Sequence, residues 1–295
     1  MSIQKYAIFL GCMIPYREVA YEVSARRIAD VVGIELVEMP DSNCCGLPLD
    51  PVNHEMAIAL AARDLCLAES MGLNLMTLCN GCFGFLTKMN KKLKEDRALR
   101  ERANEHLKGI GMEFKGTIDV KHFIGVLTEG VGIEKLSSLV TRPLEGLKIA
   151  EHYGCHFLRP HKYLGTDDAE NPTVLAKLIE LTGATVVDYL DERECCGGTV
   201  IGIDENVPIR LARNKLKSIK DAGAEAIVTI CPNCHMIYDL NQPRIEKIFS
   251  ESYGLPVLYY PQLLGLAMGM SPDELAVGEL RVKADRVLNR LIQKA

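Results

Sequence analysis

The sequence predicts an α/β chain built as two pseudo-symmetric, Rossmann-like repeats with mainly parallel sheets. Two observations carry this. Ten of the eleven cysteines repeat one pattern in order: Cys12, Cys44-Cys45 and Cys79-x-x-Cys82, then Cys155, Cys195-Cys196 and Cys231-x-x-Cys234. The intervals nearly coincide, with 31 and 33 residues between groups in the first copy and 39 and 34 in the second. In both copies, apolar runs of strand length alternate with helix-length segments, the pattern of parallel βαβ units.

Taken in order, the apolar run 6–10 (YAIFL) predicts a strand that delivers Cys12, and a helix follows over 16–32. A second strand at 34–37 leads through a polar, Pro-containing segment to Cys44-Cys45. The helix predicted over 53–71 ends at a glycine, as helix termini often do. A strand at 73–78 then runs into Cys79-x-x-Cys82, whose last cysteine is expected to open another helix. The second copy repeats this with strands at 147–150, 185–187 and 226–230 and helices at 172–182 and 207–222. Every cysteine group thereby falls at the carboxyl end of a strand, the edge where open α/β sheets bind ligands. The halves are expected to divide into residues 1–140 and 141–295, with the linker inside 136–147, where SSLVTRPLEG supplies Ser, Pro and Gly.

Composition narrows the function classes. The chain has 295 residues, 48% of them hydrophobic, enough for two ordinary cores. Its net charge of −5, with no basic stripe, lacks the footprint of a nucleic-acid binder. The charged run 88–102 (KMNKKLKEDRALRER) alternates sign and reads as a solvated helix face. The opening MSIQKYAIFLGC has no signal-peptide pattern, so a cytoplasmic protein is expected. The uncharged stretch 254–272 is interrupted by Pro256 and Pro261, too broken for a spanning helix of about 20 residues. In a reducing compartment eleven cysteines favour metal binding over disulfides.

Thiolates near helix N-termini ligate metals readily, but Cys-x-x-Cys alone also suits a redox dithiol or half a zinc site. The adjacent pairs change the balance. Neighbouring residues do not easily aim two sulfurs at one small tetrahedral ion, whereas they can serve an extended cluster. Five soft ligands per copy, one more than tetrahedral zinc uses, point first to iron and inorganic sulfide, with zinc left open. Gly46 and Gly197 follow the pairs and let the backbone fold closely around them. Cys66, outside the repeat, reads as a buried small hydrophobe. His54, His106, His122 and His235 read as surface or locally bonded. His152, His156 and His161 surround Cys155, and a structural role and a substrate contact both stay open for them. The chain has no bacterial ferredoxin cysteine run, no Gly-rich dinucleotide fingerprint and no Walker lysine, so electrons are expected from another polypeptide.

The doubled pattern, from LGCMIPYR through CCGLP, CNGCF, YGCHFLRP and CCGG to CPNCH, resembles the cysteine-rich CCG domain family, and over the whole chain the family of B subunits of methanogen heterodisulfide reductases. That resemblance implies a catalytic polypeptide that reduces the coenzyme M–coenzyme B disulfide to two thiols. It implies two noncubane 4Fe-4S clusters, one on Cys12, Cys44, Cys45, Cys79 and Cys82 and the other on Cys155, Cys195, Cys196, Cys231 and Cys234. The implied partners are the iron-sulfur C subunit and the flavin-containing A subunit of heterodisulfide reductase, with a hydrogenase or formate dehydrogenase attached. Cleaving a disulfide takes two electrons, so two clusters facing one S–S bond are each expected to supply one and to capture one sulfur. The strand ends carrying them are expected to face each other across a cleft. Arg17, His156, Arg159, Lys162 and Arg193 are candidates for the anionic ends of the substrate. Two alternatives remain: an electron-transfer iron-sulfur subunit of another CCG-containing oxidoreductase acting on lactate, glycolate or a sulfur carrier, and a zinc-stabilised assembly protein.

Overall fold

In the computed structural model, which describes residues 4–292, the short apolar runs form strands and the amphipathic segments between them form helices. The first half contains β1 (Gln4–Phe9), β2 (Ile34–Glu38), β3 (Asn74–Thr77) and β4 (Val120–His122). The second contains β5 (Lys148–His152), β6 (Thr185–Val186), β7 (Ala226–Thr229) and β8 (Val257–Tyr259). Each set makes an all-parallel sheet, in the orders β2-β1-β3-β4 and β6-β5-β7-β8. All four residues of β7 are buried, as expected of a parallel strand covered on both faces. From β1 the chain moves to one side for β2 and to the other for β3. This reversal makes a switch point at the carboxyl ends of β1 and β3, and β5 and β7 repeat it.

Helices α1 (Ile14–Arg17), α2 (Val19–Val32), α3 (His54–Ser70), α4 (Asn80–Glu95), α5 (Arg97–Lys108), α6 (Phe123–Gly125) and α7 (Ile133–Ser138) belong to the first half. Helices α8 (Cys155–Leu158), α9 (His161–Leu164), α10 (Val174–Leu181), α11 (Asn206–Asp221), α12 (Pro232–His235), α13 (Gln242–Phe249), α14 (Tyr260–Ala267) and α15 (Asp285–Ile292) follow. The helix predicted over 16–32 is broken at Glu18. The charged run 88–102 breaks at Asp96, whose side chain accepts the Leu99 N–H at 3.0 Å and caps α5. Strands β4 and β8 have no counterpart among the predicted elements. Among the described residues no helix is long and apolar enough to cross a membrane.

The halves share a core. Helix α14 packs on α2, and α8 and α9 pack on α4. One cluster of buried side chains runs from Phe9, Tyr21 and Ile28 to Tyr259, Tyr260 and Leu263. The Tyr21 hydroxyl donates to the Ile230 carbonyl at 3.1 Å, and its ring stacks on Tyr259 at 3.9 Å.

Candidate metal centre

Each cysteine group is placed by a strand end and a turn. Cys12 follows β1 and Cys155 opens α8 after β5; the preceding Gly11 and Gly154 have φ of +67° and +76°. The pairs Cys44-Cys45 and Cys195-Cys196 lie beyond β2 and β6, before Gly46 and Gly197 at φ +92° and +75°. A Cβ on Gly46 would lie 2.6 Å from the Ala57 carbonyl oxygen in α3, and one on Gly197 2.9 Å from the Pro208 Cα in α11. Both contacts span eleven residues, so each pair is held against its helix in the same register. Cys79 and Cys231 are the N-caps of α4 and α12, with Cys82 and Cys234 on the first turn. The first cysteine of each Cys-x-x-Cys, and not the last, therefore opens the helix.

All ten repeat cysteines come together. In the second half Cys155 Sγ lies 3.8 Å from Cys195 Sγ and Cys196 Sγ lies 3.4 Å from Cys234 Sγ. Hydrogen bonds join Cys195 to Cys196 and Cys234 to Cys231. The first half has the same run, Cys12 to Cys44 to Cys45 to Cys82 to Cys79. A Cys79–Cys231 hydrogen bond joins the two. Ten sulfurs thus form one unbroken line. Its centre is buried, Cys12 at one end is exposed, and Cys155 at the other is partly so. The expectation of two sets facing each other across a cleft needs correcting: they face each other, but the Cys-x-x-Cys turns touch. Asn80 Nδ2 donates to the Tyr153 carbonyl across this seam. A small open cleft, with a cavity volume of about 20 Å³, lies instead beside Cys155.

Hydrogen bonds decide which sulfurs carry charge. Donation by Cys12 and Cys45, aided by the Gly46 N–H, holds Cys44 down to about 2 against burial. Cys155, Cys196 and the Gly197 N–H do the same to Cys195, also to about 2. The donors Cys45 and Cys196 are pushed up to about 12. At the seam, hydrogen bonds from Cys234 and Cys79 hold Cys231 well below the ordinary thiol range, while Cys79 is raised. A thiolate is the ligating form, so each half offers one at the start of its adjacent pair.

The donor set fits a sulfur-bridged iron centre better than a single tetrahedral ion. Among the described residues no three His, Cys, Asp or Glu side chains converge on one point as an ion cage; the sulfurs run in a line. Five soft donors per half, two of them adjacent, suit a polynuclear core. The backbone is drawn in tightly around them. A Cβ on Gly11 would lie 3.0 Å from Cys82 Sγ, and one on Gly154 3.1 Å from Cys234 Sγ.

The family model of the CCG cysteine-rich domain matches residues 6–87 and 149–238, which together hold all ten of these cysteines. The chain belongs to the CCG family. It is 38% identical over 295 residues to the B subunit of the ferredoxin:CoB-CoM heterodisulfide reductase of Methanosarcina mazei, covering 99% of this chain and 98% of that one. It is also 33% identical over 285 residues to the 8-methylmenaquinol:fumarate reductase membrane anchor subunit of Wolinella succinogenes, covering 96% and 99%. Among solved structures, a hypothetical protein from Helicobacter pylori superposes with a TM-score of 0.76 at 13% identity, over 96% of this chain and 53% of that one. That likeness bears on the fold, and it supports the two-repeat α/β architecture.

Of the remaining candidates in this CCG chain, Arg159 and Arg193 line the cleft beside Cys155, together with His152 and Glu192. Arg159 donates to the Ala169 carbonyl at 3.0 Å and Arg193 to Asn171 Oδ1 at 3.1 Å, and both heads stay exposed. His156 is partly buried, with its backbone against Gly84 of α4. Arg17 is exposed in α1, and Lys162 lies over the Tyr163 ring at 4.8 Å; neither lines that cleft. Cys66 is buried in the core of α3 as expected. His54 bonds locally to Asp50, and His106 is exposed. His122 and His235 are not on the surface: both are buried at the junction of the halves, where His235 Nδ1 lies 2.8 Å from Glu18 Oε2. His152 is buried and held neutral, by burial first and then by Lys215, whose Nζ is 3.4 Å from its Nδ1. Sequence reasoning missed Asp64, Lys215 and Glu18, all buried. The signal that finds the first two is a position-by-position alignment of the copies on their cysteine pairs.

Proposed function

We propose that the chain is the disulfide-reducing iron-sulfur component of a multisubunit oxidoreductase, and that its substrate is the coenzyme M–coenzyme B heterodisulfide. The unbroken run of ten sulfurs through the junction of the halves carries the reading. Cys12, Cys44, Cys45, Cys79 and Cys82 would hold one noncubane 4Fe-4S cluster, and Cys155, Cys195, Cys196, Cys231 and Cys234 the other. Residues 1–140 and 141–295 would be the two CCG domains. Clusters held there supply single electrons and thiophilic iron. The chain's own contribution begins at the cleft beside Cys155, where Arg159 and Arg193 offer planar cationic heads to a sulfonate or phosphate. The packed seam at Cys79, Cys82, Cys231 and Cys234 keeps water from the centre of the run. Tyr16, Val52, Leu190 and Ile203 are large apolar side chains left exposed on the chain around the cysteine loops, and they suit docking of the electron-supplying iron-sulfur and flavin-containing partners. Reduced thiols of this number fit the cytoplasm.

The similarity to a fumarate reductase anchor subunit favours a second reading, in which the same sulfurs only relay electrons. One experiment separates the readings. Anaerobically purified protein is assayed for iron, sulfide and zinc, then for thiol release from the heterodisulfide with an artificial one-electron donor. About eight irons per chain and thiol release are expected, with release abolished in both Cys44→Ser and Cys195→Ser. Zinc without iron would establish the scaffold alternative. Iron without thiol release would leave the relay, and near-normal release in either variant would overturn the paired use of both sites.

A further inference from the structure

The two copies differ at one buried position in a way their symmetry makes plain. Asp64 lies nineteen residues after Cys45 in α3, and Lys215 lies nineteen residues after Cys196 in α11. The matching Gly46–Ala57 and Gly197–Pro208 contacts put the two helices in the same register against their cysteine loops. Both side chains are essentially fully buried, at 0% and 1% exposure. Both hold the residue two before the second cysteine of the pair, with opposite polarity. Asp64 accepts from the Asn43 backbone N–H and from Asn43 Nδ2, each at 3.0 Å. Lys215 Nζ donates to the Glu194 carbonyl at 2.8 Å and the Glu192 carbonyl at 2.9 Å. The fold thus stores a carboxyl behind one cysteine pair and an ammonium behind the other.

We infer that Lys215 and Asp64 are positioning residues that separate the reduction potentials of the two sulfur sites, raising the second above the first. The inference rests on the cluster reading above. A buried cation stabilises added negative charge nearby, a buried anion opposes it, and neither is screened as a surface charge would be. The surroundings keep this sign. Glu151 is pushed up to about 9 by burial and by Glu192, so it holds its proton near neutral pH, and His152 is neutral. Asp191 and Glu194 are exposed. Burial draws Lys215 down to about 8, which leaves it mostly charged at pH 7. Burial also pushes Asp64 up to about 8; protonated, it leaves the first site without any matching buried cation, so the order is unchanged. Arg63, 3.9 Å from Asp64, is partly exposed and offsets only part of a buried charge. Electrons shared between the sites would then rest preferentially at the second, beside the cleft that opens at Cys155.

The test is a dye-mediated potentiometric titration of the paramagnetic signals of the anaerobic holoprotein, after iron and sulfide have been counted in each variant. The signal altered in Cys195→Ser identifies the second site. The parent should show two distinct midpoints, with the second site more positive. Lys215→Met should move only the second midpoint to a more negative value, while Lys215→Arg, which keeps the charge, holds it. At pH 9, where Asp64 is ionised, Asp64→Asn should move only the first midpoint, to a more positive value. Coincident midpoints in the parent, or the same shift in Lys215→Met and Lys215→Arg, overturn the inference and leave the cluster reading standing. If Lys215→Met loses its iron, Asp64→Asn at pH 9 decides, and a first midpoint unmoved there overturns the inference. A parent without iron overturns both.

Discussion

At the scale of single residues, His122 shows how burial turns a side chain into a pH-dependent part of the fold. It closes β4 with its ring edge-on to Phe83 and Phe157, at centroid distances of 5.6 and 5.0 Å. Its Nδ1 accepts the Ile124 N–H at 3.2 Å, so the neutral ring carries its proton on Nε2 and donates to the Leu78 carbonyl at 3.1 Å. Burial pulls its pKa down to about 4. The unfolded chain, near the ordinary 6.5, binds the extra proton first as the pH falls. The stability contribution is therefore whole above about 6.5 and is lost as the pH drops toward 4, by roughly 2–3 kcal/mol. Urea unfolding at pH 7 and pH 4.5 checks this, because His122→Gln should be less sensitive to acid by that amount; parallel slopes in parent and variant would refute it. His122 was read from sequence as surface or locally bonded, since a lone histidine carries no periodic signal. The ten cysteines were legible because identity, order and spacing recur together. Asp64 and Lys215 were not, because each is one charge among several in an amphipathic helix.

At the scale of elements, the cysteine-pair loops depend on glycines that differ in what surrounds them. Gly33, which ends α2, has φ +82° and nothing within 4 Å of an added Cβ. Gly46 combines φ +92° with a Cβ position 2.6 Å from a backbone oxygen of α3. Gly33→Ala should cost about 1 kcal/mol, the backbone penalty alone. Gly46→Ala must in addition push the loop off α3, at about 2 kcal/mol or more, and displace Cys44 and Cys45. Iron counts and thermal melting of the two variants give the comparison. Gly46→Ala should lose first-site iron, Gly33→Ala should keep it, and equal retention would mean the loop tolerates the shift. The six strands that deliver cysteines were readable as apolar runs between turn signals. Strands β4 and β8 escaped because each has three residues: VKH carries a central lysine, and VLY lies inside a longer uncharged stretch without alternation. The break of the first long helix at Glu18 also escaped, since nothing local forbids a helix there and the cause is a tertiary contact.

At the scale of the whole molecule, that contact ties the halves together. Glu18 Oε2 accepts the Tyr259 hydroxyl at 2.7 Å and lies 2.8 Å from His235 Nδ1. Tyr259 is held between two rings, Tyr21 at 3.9 Å and His235 at 4.3 Å. The repeat foretold two similar halves but not this junction, because symmetry reports where the copies agree and the junction is made where they differ. Six residues after Cys12 stands Glu18, and six after Cys155 stands the exposed His161. Glu18→Ala leaves the Tyr259 hydroxyl buried without its acceptor, which should cost roughly 1–3 kcal/mol. Glu18→Gln keeps an oxygen acceptor of the same reach and should cost less. His235 directly follows Cys234 on α12, and Glu18 begins the helix whose Tyr21 holds the carbonyl just before Cys231, so loss of the contact loosens the seam where Cys79 meets Cys231. Glu18→Ala should therefore melt in a single transition at lower temperature and release iron from both halves together during mild chelation, with Glu18→Gln between it and the parent. Two separate melting transitions, or iron lost from one half alone, would mean that the halves fold and hold their sulfur sites independently.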